Sequence, residues 1–414
     1  MPSSPDRSPP PFADPSVEVK AQQGLNRLVL TLLQRVAQPA VDRPDRIGVL
    51  HVIEDPELAD EVFKTPTLFQ KNFALVAALG QSRFNLNGDR WAEFRDRTQP
   101  AYNKASKPAE IPKIDAIYRD ALSGVSPHDG AALEPALMRA ALAVFCKALN
   151  IVLDPDAVAQ LFPHIRTHAK MLQFFSWYGA QQSDVLLQRA EWLDQCFNEL
   201  ILADPHTRDF VQQAVTGKSL SEWSPAITDL MQNLFAGIET TVATLSWAVQ
   251  LLGQNSDLQD ALRREADAPL QNRTLTRGFL WETMRCFPPI PFVVRELSDD
   301  YCGHGRSFAK GEQVIVSVLG LHRHAGYWVN PNEFHAARDE FADGQPTPIA
   351  FRPFLSGPRV CGGKRLAELE MLVALPEILR RWRIVSTSPD ISYDYALALR
   401  PQSLTSVRLE ALPR

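Results

Sequence analysis

One run of this 414-residue chain limits its fold more than any other. It opens at Ser224-Pro225, a capping residue followed by a first-turn proline. It continues through Ala226-Ile227-Thr228-Asp229-Leu230 to about Leu252, where Gly253 and Asn255 end it. At 1.5 Å per residue such a helix spans on the order of 40 Å, enough to cross a whole domain. Helical patterns dominate from Asp89 to Arg285. Asp55-Pro56 predicts the start of a further short helix through Phe63. Strand candidates are short and lie towards the ends: Ile47–Ile53, Gln313–Val318, Trp382–Val385 and Val407–Leu409. The pattern predicts a mainly α fold with small peripheral β-sheets. No linker-like composition divides it, so residues 21–414 read as one domain. The proline-rich stretch before them, residues 1–20, reads as a disordered tail with no apolar core of a secretory signal.

A net charge of -5 gives no reason to expect nucleic acid as a partner. No apolar stretch is long enough for a membrane span. The five cysteines are scattered, with no C-x-x-C pair, which favours a reducing compartment and a cytoplasmic location. One of them stands apart. Cys361 sits in Phe354-Leu355-Ser356-Gly357-Pro358-Arg359-Val360-Cys361-Gly362-Gly363, and a helical run starts at Lys364. A loop feeding a helix N-terminus favours a thiolate there, because backbone N–H groups and the helix dipole both attract negative charge. A thiolate so placed is suited to serve as an axial ligand to haem iron.

The loop resembles the cysteine loop of the cytochrome P450 superfamily, F-x-x-G-x-R/H-x-C-x-G, and Phe354, Gly357, Arg359, Cys361 and Gly363 match every fixed position. Within the long helix, Ala236-Gly237-Ile238-Glu239-Thr240-Thr241 resembles the family's oxygen-activation motif. By itself an A-G-x-E-T run reads as a helix contact whose threonine bonds back to the i−4 carbonyl of Ala236. The resemblance implies more: small Ala236 and Gly237 admit a flat ligand, Glu239 relays protons and Thr240 steadies bound dioxygen. The implied fold is a single cytochrome P450-type domain with haem between the long central helix and the cysteine-loop helix.

The resemblance extends to the surrounding scaffold. Glu282 and Arg285 form an E-x-x-R pair, and Arg338 in Phe334-His335-Ala336-Ala337-Arg338 is the implied third member, although Ala336 replaces the usual proline. Three arginines fall at positions that hold the haem propionates: Arg95 in a W-x-x-x-R pattern with Trp91, Arg295, and Arg359. Phe354 and Gly363 belong to the same cofactor shell. By analogy the substrate pocket involves Phe235, Ile290, Phe292, Val293, Val294 and Leu404, roofed by the loop around Phe69, Phe73, Phe84 and Leu86. His322-Arg323-His324 has no nearby ligand cluster and is not read as a zinc site.

These residues imply a haem-thiolate monooxygenase carrying haem b, using O2 on a hydrophobic substrate. Neither a flavin nor an iron–sulfur segment is visible, so a separate ferredoxin with its reductase is the implied electron donor, with Lys364 and Arg365 available for docking. The alternatives are a peroxide-driven peroxygenase, a haem-thiolate isomerase, a haem-binding sensor, or an enzyme using Cys361 as a nucleophile.

Overall fold

The structure, a computed structural model, describes residues 8–12, 14, 16–38, 43–71, 81–178, 183–215, 223–341, 349–386, 388 and 392–412. Helix α1 (Ser16–Val36) leads into a hairpin of β1 (Arg46–Ile47) and β2 (Leu50–Ile53), then α2 (Pro56–Lys64) and β3 (Phe69–Gln70). A helical body follows: α3 (Gly88–Ala105), α4 (Ile111–Ser123), α5 (Leu133–Leu149), α6 (Pro155–Tyr178), α7 (Ser183–Ala203) and α8 (Pro205–Ala214). Then come α9 (Trp223–Leu252), α10 (Ser256–Glu265) and α11 (Thr274–Cys286). Strands β4 (Phe292–Leu297), β5 (Tyr301–Gly303), β6 (Arg306–Phe308) and β7 (Gln313–Ser317) precede the short α12 (Val318–Leu321). The chain closes with α13 (Lys364–Arg381), β8 (Trp382–Ser386), β9 (Tyr393–Tyr395), β10 (Leu399–Pro401) and β11 (Val407–Ala411).

The main sheet has the order β1-β2-β7-β4-β3, with β2 and β7 parallel and the other pairs antiparallel. Val52 pairs with Ile315 and Val293 with Val316, which centres three apolar strands on β7. Three two-stranded ribbons, β5-β6, β8-β11 and β9-β10, complete the sheets. The largest apolar cluster joins α5, α9, α11 and α13. Helix α9 runs through it, apolar on nearly every side, as a helix with no solvent face must be. No described helix is long and apolar enough to cross a membrane.

Three details differ from the sequence reading. Helix α1 begins at Ser16, whose N–H bonds Asp14 at 2.8 Å, and Phe12 is buried, so the stretch read as a tail is ordered from within it. The strand read as Ile47–Ile53 is split, because Gly48 takes a positive φ of 58° and turns the chain so that Ile47 pairs with Leu50. Helix α9 starts no later than Trp223, which puts Ser224 inside it rather than at its cap.

Candidate functional site

The cysteine loop is fixed by backbone geometry. Cys361 N–H bonds the Phe354 carbonyl at 3.0 Å and closes the loop on itself. Gly357 has a φ of 69°, and a Cβ there would lie 2.2 Å from the Phe63 carbonyl oxygen, so only glycine lets the loop seat on α2. Gly363 caps α13. Desolvation raises the Cys361 thiol pKa. The amides of Gly363 and Lys364 bond its sulfur and, with the Arg83 charge, pull the other way without overcoming burial. The helix end therefore does not by itself yield the thiolate expected of it. Yet Cys361 is exposed, as is Val360 beside it at 40%.

The long helix has a matching gap. From Ala226 to Gln250 every residue of α9 is buried except Ala236, Gly237 and Thr240. These three belong to the predicted oxygen motif. The Thr240 hydroxyl donates to the Ala236 carbonyl at 2.7 Å, as the i−4 rule predicts. Glu239 is 2% exposed and is not free. Arg166 of α6 clamps it with contacts of 2.9 and 2.7 Å to one carboxylate oxygen and 3.1 Å to the other. Arg166 also reaches Glu134 at 3.3 Å, and Glu134 is held in turn by Arg400 at 2.5 Å. Burial opposes the Arg166 charge, but Glu239 and then Glu134 outweigh it and raise its pKa. The acid expected to relay protons is thus held by an arginine. A motif read within one helix gives no sign of a partner seventy-three positions away.

A cluster of cations gathers near the loop. Arg295 donates to the Val294 carbonyl at 2.7 Å, and Arg359 to the Leu86 carbonyl at 2.8 Å and the Asn87 side-chain oxygen at 2.9 Å. Among the described residues neither pairs with a carboxylate. Burial lowers Arg295 to about 10, with Arg359 adding repulsion, and burial lowers Arg359 to about 10. Lys71 joins them: burial, then the charges of Arg295, Arg359 and Arg83, hold it well below the ordinary lysine value. Such a group of buried and half-buried positive charges calls for anions. Sequence reasoning missed Lys71 and Arg83, which carry no motif. Trp91 lies under the Arg359 guanidinium at 4.5 Å, and Arg95, stacked on Trp91 at 5.6 Å, has a side chain 41% exposed.

Glu282, Arg285 and Arg338 do meet. Arg285 grips the Glu282 carboxylate at 2.7 and 2.8 Å and Arg338 at 2.8 and 2.9 Å, with all three buried. Ala336 in place of proline does not prevent this. His322 is also buried, accepting the Arg352 N–H at 2.9 Å; burial, then Arg285 and Arg323, push its pKa down to about 3. Among the described residues no group of three His, Cys, Asp or Glu side chains could hold a metal.

The expected pocket wall is only partly realised. Alternation along β4 sends Phe292 and Val294 into the cluster with α1, and Val293 into the opposite one with α2. Phe235 is packed edge-on between Phe162 and Phe197, at 4.7 and 5.7 Å, and Leu404 is buried in the main core. Ile290, Phe84 and Leu86 are half-buried, Phe69 is core, and Phe73 lies outside the described residues.

A family model, Cytochrome P450, matches residues 162–406. The chain belongs to the cytochrome P450 family. It is 31% identical over 193 residues to human cytochrome P450 4V2, a match covering 43% of this chain and 37% of that protein. With rat cytochrome P450 4X1 it is 33% identical over 195 residues, 44% of this chain and 38% of the relative. The matched stretch thus spans well under half of these relatives' length. The fold is shared with a retinoic acid-bound cyanobacterial cytochrome P450, at a TM-score of 0.72 and 21% identity over 88% of this chain and 89% of that one. A zebra fish cytochrome P450 solved with progesterone gives 0.71 and 21%, over 87% and 93%.

Membership implies a haem cofactor, and the cytochrome P450 residues present here fit one. The open sulfur of Cys361, the exposed Val360, the gap at Ala236, Gly237 and Thr240, and cations lacking carboxylates are together what a flat, thiol-ligated dicarboxylate requires.

Proposed function

We propose that this cytochrome P450 is a haem-thiolate monooxygenase that inserts one atom of O2 into a hydrophobic substrate. The observation that carries the reading is the exposed Cys361 with backbone hydrogen bonding from Gly363 and Lys364, in a fold whose long helix, between Ala226 and Gln250, opens only at the oxygen motif. Haem b, held by Cys361 and by Lys71, Arg295 and Arg359, would supply the redox-active iron on which O2 is reduced. The chain's own part is electrostatic and protonic. The amides of Gly363 and Lys364 damp the charge on sulfur. Thr240 commits its proton to Ala236, so its oxygen is left to accept a hydrogen bond. Glu239 relays a proton only when Arg166 releases it.

Electrons come from a separate donor of the ferredoxin type, docking where Lys364 and Arg365 are exposed, and the cytoplasm is the proposed location. The clamp on Glu239 lends a peroxide-driven reaction its one supporting observation. Turnover that depends on an added ferredoxin and reductase, and not on peroxide, decides between the two. The central test is Cys361→Ala. It should abolish the strongly red-shifted Soret band of the reduced CO complex; a variant that keeps that band overturns the assignment.

A further inference from the structure

Helix α6 presents two faces. On one, Phe162 edges onto Phe235 of α9 at 4.7 Å, Arg166 clamps Glu239, and Gln173 bonds the Ala396 carbonyl beyond β9. On the other, His164, His168, Met171 and Phe175 follow the i, i+4, i+7, i+11 spacing and turn towards α1 and α7. What holds the second face also bears on how firmly the first one grips the acid of the oxygen motif.

The second face is held by the segment before α1. Phe12, 7% exposed, packs with Val17 and Ala21 of α1, Met171, Leu172 and Phe175 of α6, and Leu186 of α7. Arg189 of α7, 5% exposed, donates to the Pro10 carbonyl at 2.6 Å and lies 4.7 Å over the Phe12 ring. Among the described residues no carboxylate is within ion-pair reach of Arg189, and its Nε has no partner. His168 beside it is fully buried, and neither of its ring nitrogens has a partner. A buried guanidinium held by one carbonyl and one ring regains hydration when the contact opens, which offsets much of the apolar burial that closes it. A contact so balanced is suited to open locally while the rest of the fold stays shut.

We propose that residues 8–12 form a latch on the α6–α7 pair, and that opening it loosens Arg166 from Glu239 and frees the approach to Ala236, Gly237 and Thr240. The latch itself stands on packing alone; its effect on catalysis rests on the monooxygenase reading above. Phe12→Ala and Arg189→Met, made in the full chain, test it by hydrogen–deuterium exchange and by the rate at which imidazole binds the haem iron of the holoprotein.

Arg189→Met, which removes the guanidinium that regains hydration on opening, should slow exchange across residues 155–203; Phe12→Ala should speed it by about tenfold, the factor that ~1.4 kcal/mol of local opening represents. The imidazole on-rate should rise with it. Phe12→Leu, which keeps the apolar contact, should restore slow exchange. Faster exchange confined to residues 8–20, with α6 and α7 unchanged, overturns the latch. So does faster exchange that includes α13, which signals global loosening. The CO band of the unaltered protein tests the haem-thiolate reading separately, so the two failures are distinguishable.

Discussion

Two glutamates, each buried and each gripped by arginine, behave as opposites. Glu282 is enclosed by Arg285 and Arg338, and the remaining N–H groups of those arginines end on the carbonyls of His322, Pro331, Glu333, Val329 and Asn330. The His335 N–H adds a further bond to the carboxylate at 2.8 Å. Every polar contact is answered locally, so the cluster has nowhere to go. Among the described residues Glu239 is gripped by Arg166 alone, and Arg166 is shared with Glu134, which is shared with Arg400. The side chains of the last three are 18%, 22% and 21% exposed, so this chain of charges runs outward. A closed cluster fixes shape; an open one can exchange partners and move a proton. A third buried glutamate, Glu370, extends the comparison. Its partner is not a cation but the Tyr118 hydroxyl, at 2.6 Å.

The sharpest way to break this contrast is Glu282→Gln. Removing the charge that two buried arginines share leaves Arg285 without a paired carboxylate and Arg338 with only Glu340 at 3.7 Å, and should cost about 3–5 kcal/mol of unfolding free energy. Urea denaturation measures it. A loss below about 1 kcal/mol would mean that the arginines find other anions and that the cluster is not closed.

Glu370 should show what a buried carboxyl does without an arginine. Burial pushes its pKa up to about 8, and the Tyr118 hydrogen bond lowers it only in part. The sign follows. With a folded pKa above the unfolded one, the folded state binds the extra proton, so this group's contribution is complete below about pH 4.5. It is lost as pH rises to about 8, at up to ~1.4 kcal/mol per pH unit. Glu370→Gln keeps a neutral partner for Tyr118 and should flatten that fall. Parallel stability–pH curves for the two proteins would rule the neutral carboxyl out.

What could be read from the sequence follows the same division between local and distant contacts. Glu282 and Arg285 are one helical turn apart, and the loop around Cys361 is ten consecutive residues, so spacing alone carries them. The length of α9, the cap and proline that open α2, and the mainly helical architecture are equally local signals. Arg166, Glu134 and Arg400 lie on three separate elements and meet only when α6, α5 and β10 are packed. No periodicity announces them. Along β4 the local pattern says less, because a strand turns consecutive residues alternately to two sides, Phe292 and Val294 to one cluster and Val293 to the other.

Arg166→Met probes the open cluster. It strands a carboxylate that is 2% exposed while Glu134 keeps Arg400, so the expected cost is about 2 kcal/mol, smaller than at Glu282 because Glu239 can take up a proton. The informative reading is the pH dependence of turnover. If Arg166 governs Glu239, the profile should shift in the variant; an unmoved profile with lowered stability would make the pair purely structural.

The smallest effect should come from Arg95. Its W-x-x-x-R pattern places it among the propionate arginines, yet its side chain is 41% exposed and its nearest carboxylate is Asp96 at 4.0 Å. Arg295, by contrast, is 3% exposed, inside the group with Lys71 and Arg359, and without a carboxylate among the described residues. Arg95→Ala should therefore change stability by no more than about 0.5 kcal/mol and leave haem retention unchanged. Arg295→Ala should weaken retention roughly tenfold or more, the worth of a charge-assisted hydrogen bond. Both follow from the rate of haem transfer to apomyoglobin. Should Arg95→Ala release haem as fast as Arg295→Ala, the exposed Arg95 side chain also reaches the haem, and the local pattern, not the packed cluster, would be the better guide to the propionate site.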